Sequence, residues 1–144
     1  MMQVGDLLSD TTHRSLTLPV SCPVQDAVER MAKEGVEAVV VAEAERPVGM
    51  FSGHDLLRLF QQKGPAAAAD ADLRAAMTDR LVVAAADEEI RQVMAKMLDA
   101  DIRHLVVIAD GVIVGQLALC DIVKKMFDVL DGEIRHLNEY IADL

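Results

Sequence analysis

Two segments of the chain carry apolar residues three and four positions apart, the spacing of an amphipathic helix. The apolar positions are Val24, Ala27, Val28, Met31 and Ala32 in the first segment and Ile90, Val93, Met94, Met97 and Leu98 in the second. We expect Pro23 in the first turn of the first helix and Gly35 at its end. Asp87 is expected to be the N-cap of the second helix, and Glu88 and Glu89 are favourable at the positive end of the helix dipole.

Each predicted helix is followed by two runs that read as strands. They are 36–42 and 47–51 after the first helix, and 102–108 and 112–119 after the second. The first run of each pair is almost continuously apolar, which predicts a strand covered on both faces. Asp110-Gly111 predicts a tight hairpin, whereas a looser connection is expected over Glu43 to Arg46. Shorter strands are predicted ahead of each helix, at 15–20 and 81–85.

The two halves are copies of one unit. Met31 and Met97 lie 66 positions apart, as do Val41 and Val107, Gly49 and Gly115, and Asp55 and Asp121. A second helix matches at the same offset, with Leu56, Leu57 and Phe60 opposite Ile122, Val123 and Met126. Upstream, 4–9 matches 73–78 at an offset of 69, which leaves three extra residues near 10–13 in the first copy. The sequence therefore predicts two units of strand, helix, strand, strand and helix that bury a face against each other.

Composition narrows the range of functions. The 144 residues are 52% hydrophobic but only 3% aromatic, which predicts a packed aliphatic core. The net charge of −10 disfavours nucleic acid and anionic membranes as partners. The two cysteines, Cys22 and Cys120, form no metal-like pair, and no apolar run approaches the roughly 20 residues that cross a bilayer. We therefore expect a cytoplasmic protein without a metal site.

The segment Gly49-Met50-Phe51-Ser52-Gly53-His54-Asp55 stands where a strand meets a helix, and its copy runs from Gly115 to Asp121. In this segment the chain resembles the CBS (cystathionine β-synthase) domain, and the tandem resembles a stand-alone CBS pair of bacterial type, or Bateman module. The resemblance extends from about Val4 to Phe127. It implies an α+β fold of two β-α-β-β-α repeats related by a pseudo-two-fold axis, followed here by a C-terminal helix.

This resemblance divides the chain into four parts. They are repeat 1 at 1–63, an Ala-rich linker at 64–72, repeat 2 at 73–127 and a C-terminal helical extension at 128–144.

The resemblance also implies a sugar-binding loop made of a glycine, two apolar residues, Ser or Thr, two variable residues and Asp. The first copy fits through Gly49, Ser52 and Asp55, with Met50 and Phe51 as the apolar pair. The second copy keeps Asp121, but Gln116 replaces an apolar residue and Ala118 replaces the hydroxyl residue. Residues Ser52 and Asp55 also fit a helix capping box, and a carboxylate has enough acceptor sites for both roles.

Three basic residues are candidates for contact with a ligand's phosphates. Arg103 and His104 stand where the family often places such residues, and His54 lies at a helix N-terminus, where anions bind. The alternatives are a solvated charge for Arg103, a satisfied histidine at His104 and a surface position for His54. The copies of Arg103 and His104 are Glu37 and Ala38, so the contacts to a phosphate are expected to be unequal in the two halves.

The implied function is a non-catalytic regulatory module. It would sense an adenosine compound (AMP, ADP, ATP, NAD or S-adenosylmethionine) and signal to an unknown regulated protein through a change of shape. No cofactor is expected to be tightly bound. The sparse positive charge of the first repeat favours a monophosphate or a cationic adenosyl compound over a triphosphate. The alternative is a ligand-free structural or dimerisation module.

The C-terminal tail carries a narrow apolar seam. Its members alternate at spacings of three and four, namely Phe127, Leu130, Ile134, Leu137, Ile141 and Leu144. Such a seam is typical of a helix that packs on another helix. Gly132 interrupts it and predicts either a kink or two helices. We expect the seam to form a homodimer, with packing on the chain's own module as the alternative.

Overall fold

The computed structural model describes residues 2–10 and 16–143, and the side chains of Ser9 and Asp10 are not described. The extra residues expected in the first copy therefore lie largely outside the described part. The helices are α1 (Val4–Asp10), α2 (Val24–Glu34), α3 (Gly53–Lys63), α4 (Pro65–Asp70), α5 (Leu73–Ala76), α6 (Ile90–Ala100) and α7 (Leu119–Ala142). The strands are β1 (Thr17–Pro19), β2 (Ala38–Glu43), β3 (Arg46–Ser52), β4 (Val82–Ala85), β5 (His104–Ala109) and β6 (Val112–Ala118).

The strands form two sheets of the same topology, one in each repeat. Their orders are β1-β2-β3 and β4-β5-β6, and in each sheet the first pair is parallel and the second antiparallel. Ala38 pairs with Ser52 in the first sheet, and His104 pairs with Ala118 66 positions later. The register also shifts at equivalent points, after Val41 and after Val107. The predicted duplication and α+β fold are confirmed.

Each sheet has a helix-covered face and a face that meets the other sheet. The helix-covered face of the first sheet packs in a core around Phe51, and that of the second packs in a core around Leu117. Between the sheets lies a third cluster, centred on the fully buried Val40 and Val106, which are equivalent residues of the two repeats. Both faces are therefore covered, as the continuous apolar runs predict.

A short helix precedes each repeat and packs on the other repeat, an arrangement absent from the predicted unit. Helix α1 contributes Val4 and Leu7 to the core of the second repeat. Helix α5 contributes Leu73 and Ala76 to the core of the first. The two repeats are therefore tied together by exchanged segments as well as by their sheets.

The exchanged segments also cap the long helices of the other repeat. The Val24 N–H donates to the Ala71 carbonyl at 2.8 Å, and the Ile90 N–H donates to the Met2 carbonyl at 3.1 Å. These bonds satisfy backbone donors that a side chain would otherwise cap. The prediction of Asp87 as N-cap is consequently wrong, since the cap position of α6 is Glu89. Pro23 likewise occupies the cap position of α2 rather than its first turn, whereas Gly35 ends that helix as expected.

Glu88, two residues before α6, accepts two hydrogen bonds through its side chain. Its carboxylate accepts the Lys96 ammonium at 3.0 Å and the Ala85 N–H at 2.7 Å. These two bonds hold the pKa of Glu88 below its ordinary value, with the Lys96 bond the larger cause.

The hairpin of the first repeat is tighter than predicted. Ala44 and Glu45 have φ values of 50° and 68°, close to the 52° and 76° of Asp110 and Gly111. Both hairpins are therefore two-residue turns with two left-handed residues, the type that matches strand twist. The expected looser connection is wrong, because the common strand register imposes the same turn on residues that do not favour it.

The linker and the tail are both helical. Within 64–72, α4 packs on the first repeat and buries Ala68 completely. Helix α7 continues through Gly132 as one helix, so the alternative of two helices is wrong. All described residues after Met126 are exposed, and the tail is therefore not folded onto its own module.

Candidate functional site

A cleft, here called cleft 1, lies between the β3–α3 junction of the first repeat and the segments that lead into β4 and β5 of the second. Its volume is about 210 Å³, below the roughly 300–1,000 Å³ of common ligand pockets. It is lined by Met50, Ser52, His54, Asp55, Arg58, Thr78, Arg80, Asp101, Ile102, Arg103 and His104. The cleft exists only because the two repeats meet.

Asp55 forms the polar floor of cleft 1. Only 3% of the residue is exposed, and its carboxylate accepts four hydrogen bonds. Oδ2 accepts the Ser52 N–H at 2.9 Å and the Ser52 hydroxyl at 3.1 Å, so the predicted capping box is present. Oδ1 accepts the Thr78 hydroxyl at 2.6 Å and the Arg58 guanidinium at 2.7 Å. One oxygen therefore organises the loop, while the other is held by two side chains of the cleft wall.

Thr78 reaches Asp55 because its backbone pairs with strand β3. The Met50 N–H donates to the Thr78 carbonyl and the Thr78 N–H donates to the Met50 carbonyl, both at 2.9 Å. Gly49 permits this approach. A Cβ at Gly49 would lie 2.6 Å from Met77 Sδ and 2.8 Å from the Thr78 carbonyl oxygen. The glycine of the signature thus makes room for the segment that carries Thr78.

Three arginines and two histidines are among the other residues that line cleft 1. Arg103 Nη1 lies 3.3 Å from His54 Nε2, within reach of a hydrogen bond in which the guanidinium is the donor. Arg58 and Arg80 come from α3 and from the segment before β4. The first repeat contributes only Arg58 to this positive charge, and the second repeat adds Arg80 and Arg103, so the cleft is more basic than the first repeat alone suggests.

An equivalent cleft, here called cleft 2, lies at the other β–α junction and has a volume of about 230 Å³. It is lined by Gly35, Val36, Glu37, Ala38, His104, Gln116, Ala118, Cys120, Asp121 and Lys124. Apart from His104, each of these residues lies 66 positions from a residue of cleft 1. The clefts are thus two copies of one architecture with different side chains.

His104 lines both clefts. Burial lowers the pKa of its imidazole below the ordinary value, and the nearby Arg103 guanidinium lowers it further. The carboxylates of Glu37, Asp121 and Asp55 oppose this shift. His104 is therefore a neutral side chain at neutral pH, placed between two groups of acids.

Six of the predicted site residues line cleft 1, namely Met50, Ser52, His54, Asp55, Arg103 and His104, and Asp121 lines cleft 2. Neither Gly49 nor Phe51 is among the residues that line the two clefts. Phe51 is fully buried in the first core, because alternate residues of β3 face opposite sides of the sheet. The prediction that Phe51 contacts a ligand therefore does not fit its position.

Sequence reasoning missed Arg58, Thr78 and Arg80. Thr78 carried a signal, since the repeat alignment places it opposite Ser9, another hydroxyl residue. Arg58 lies three residues after Asp55, a spacing that allows an ion pair on a helix. Arg80 carried no such signal, because its place in the cleft depends on the packing of the two repeats.

Within the described residues, no three His, Cys, Asp or Glu side chains gather closely enough to hold a metal ion. None of the helices in that part of the chain is both long enough and apolar enough to span a membrane.

The duplicated fold and its paired clefts define a CBS domain pair. The CBS domain family model matches residues 4–62 and 71–128, so the chain belongs to this family. The mitochondrial CBS domain-containing protein CBSX3 of Arabidopsis thaliana is 29% identical over 125 residues. The match covers 82% of this chain and 59% of that protein, so the chain spans little more than half the length of its curated relative.

Solved structures show the same architecture. The CBS-domain protein ATU1752 of Agrobacterium tumefaciens is 26% identical with a TM-score of 0.77, covering 87% of this chain and 99% of that one. PAE2072 of Pyrobaculum aerophilum, complexed with AMP, has 23% identity, a TM-score of 0.70 and coverages of 83% and 89%. The CBS pair of MJ0100, with 5′-methylthioadenosine and S-adenosyl-L-methionine, has 18% identity, a TM-score of 0.74 and coverages of 89% and 97%.

Gly49→Ala is expected to destabilise the protein by about 1–3 kcal/mol, because the added methyl overpacks the contact with Met77 and Thr78. Urea unfolding measures the change. Gly53→Ala is the matched control in the same loop, where a Cβ meets open space, and it should leave stability within about 1 kcal/mol. Equal effects of the two changes would contradict the role assigned to Gly49.

Because the pKa of His104 is lowered in the folded state, the unfolded chain binds its proton more tightly. The stability from this residue is therefore present above its unfolded pKa of about 6.5 and lost as the pH falls through the lowered folded pKa. Urea midpoints should fall more steeply with acid in the wild type than in His104→Gln. His136→Gln, at an exposed tail histidine, should keep the wild-type slope. Parallel curves for the wild type and His104→Gln would contradict this assignment.

Proposed function

We propose that this chain is a non-catalytic regulatory module that binds an adenosine compound carrying phosphate in cleft 1, with AMP and ADP the best fits. The observation that carries the proposal is the hydrogen-bonded floor at Asp55 beside the basic pair His54 and Arg103. Two relatives of the same fold were crystallised with adenosine compounds, which supports this ligand class.

The ribose would bind at Asp55 Oδ1. Its hydroxyls would replace the Thr78 hydroxyl and the Arg58 guanidinium as donors to this oxygen, so the buried carboxylate would remain satisfied. Oδ2 would continue to hold the Ser52 loop. The capping box and the sugar contact are therefore compatible at one carboxylate.

The base and the phosphate would bind on different walls. Met50 and Ile102 provide apolar surface for adenine, and Arg103 with His54 provides donors for a phosphate. Because the guanidinium and a phosphate can form two parallel hydrogen bonds, Arg103 is the group expected to contribute most to selectivity for an anion. This charge distribution favours a nucleotide over S-adenosylmethionine in cleft 1.

Signalling would follow from the position of the cleft between the repeats. A ligand held by Asp55 of the first repeat and Arg103 of the second would bridge the two repeats. It would favour the relative orientation of the repeats to which it binds more tightly. The regulated partner would bind differently to the different orientations of the repeats.

The second candidate is a ligand-free structural module. It is favoured by the complete internal hydrogen bonding of Asp55 and by the small volume of cleft 1. In that case Asp55 would serve only to cap α3 and to fasten the Thr78 segment.

AMP should raise the melting temperature of the full chain, since a ligand at a hundredfold excess over its Kd stabilises the folded state by about 2.7 kcal/mol. Arg103→Ala should reduce this shift strongly. Lys124→Ala removes an exposed cation from cleft 2 and should not change it. An unmoved melting temperature with AMP, ADP, ATP, NAD and S-adenosylmethionine would favour the structural module.

We also propose that the exposed tail joins two copies of the chain. Phe127, Leu130, Ile134, Leu137 and Ile141 all remain exposed along α7, at the spacing of a coiled-coil seam. The helix continues through Gly132, so the seam is unbroken. A second copy presents the same seam, which makes a symmetric pair of tails the simplest cover.

Ile134→Glu should convert the dimer to a monomer in light scattering, because it places a charge in the middle of the seam. His136→Glu is the control, since residue 136 lies on the opposite side of the helix, and this variant should stay dimeric. A dimer that survives Ile134→Glu would place the interface elsewhere.

A further inference from the structure

The two clefts have the same backbone arrangement, but the side chains along one side of each cleft differ in charge and functional group. In cleft 1 this side is formed by His54, Arg103 and His104, two imidazoles and a guanidinium, of which the His104 imidazole also lines cleft 2. The positions 66 residues away in cleft 2 hold Cys120, Glu37 and Ala38, which are a thiol, a carboxylate and a methyl group.

The other charged positions of the clefts do not distinguish them in the same way. Asp55 corresponds to Asp121, and Arg58 corresponds to Lys124, so both clefts have one acid and one base at the start of a helix. Asp101 adds an acid to cleft 1, and Arg80 offsets it. Among the described lining residues, the exchange of Arg103 for Glu37 is therefore the one reversal of charge between equivalent positions.

From this reversal we infer that the clefts take different ligands. Cleft 2 takes an uncharged or cationic adenosyl compound and excludes phosphate, and residues 37 and 103 determine which cleft accepts the anion. The inference rests on the proposed function for the ligand of cleft 1 and for the adenosyl class of the ligand of cleft 2, and the exclusion of phosphate from cleft 2 rests on Glu37.

The walls of cleft 2 fit this class of ligand. A phosphate there would face the carboxylate of Glu37 where cleft 1 has the guanidinium of Arg103, whereas an ammonium or sulfonium group would be attracted by that carboxylate. The Gln116 amide, whose Nε2 donates to the Ala38 carbonyl at 2.7 Å, gives the wall a neutral polar group where cleft 1 has the thioether of Met50. Ala118 lacks the hydroxyl of Ser52, which leaves that wall less polar at the loop.

The test is calorimetric titration of the full chain with AMP and, separately, with S-adenosylmethionine. The wild type should bind one AMP per chain. Arg103→Glu should weaken AMP by about tenfold or more, the effect of losing a charged hydrogen bond. Glu37→Arg should create a second AMP site and weaken S-adenosylmethionine by about tenfold. Glu45→Arg, an equal charge change in a distant exposed turn, should alter neither.

The outcomes separate this inference from the proposed function. Two AMP molecules bound by the wild type, or a Glu37→Arg variant that gains no AMP site, would overturn the inference while leaving the nucleotide site in cleft 1 intact. If the wild type binds no AMP but Glu37→Arg weakens S-adenosylmethionine, the inference about cleft 2 stands and the proposed function fails. Failure of both probes to bind would overturn both.

Discussion

The contact between the two sheets, centred on Val40 and Val106, is the constraint on which the rest of the structure depends. Each sheet is apolar on both faces, and one repeat covers only one face with its own helices. The second face must therefore be buried against the other repeat, since exposed apolar sheet surface is unfavourable. The exchanged helices α1 and α5 extend the contact between the repeats. Both clefts depend on this contact, because each is lined by residues of both repeats.

Asp55 links the fold to the site. Burying a carboxylate is unfavourable unless donors replace water, and four hydrogen bonds from three residues do so here. Two of these donors, on Arg58 and Thr78, belong to the cleft wall and not to the capping loop. In the proposed function, a ligand that bonds to Asp55 Oδ1 would release side chains of α3 and of the segment between α5 and β4. The same carboxylate thus holds together the β3–α3 loop and the segment between α5 and β4.

The repeats have kept their backbone and diverged in side chains. Equivalent strand pairs have the same register, the same register shift and the same two-residue turn, even where Ala44 and Glu45 adopt φ values that favour glycine or asparagine. At the clefts the same positions differ in charge, as with Arg103 and Glu37. Backbone geometry is shared because the two halves must fit one another, whereas the lining of each cleft is free to vary.

The sequence by itself determined the duplication, most strands and helices, and the loop around Ser52 and Asp55, because these depend on periodicity and on neighbours within a few residues. It did not determine the cap of α6, where the Met2 carbonyl replaces the expected Asp87, or the place of Phe51, which the pleat of β3 turns into the core. It also did not reveal that Thr78 bonds to Asp55 or that Arg80 lines the same cleft. Those positions follow from the packing of one repeat on the other, which joins residues that are distant in the chain.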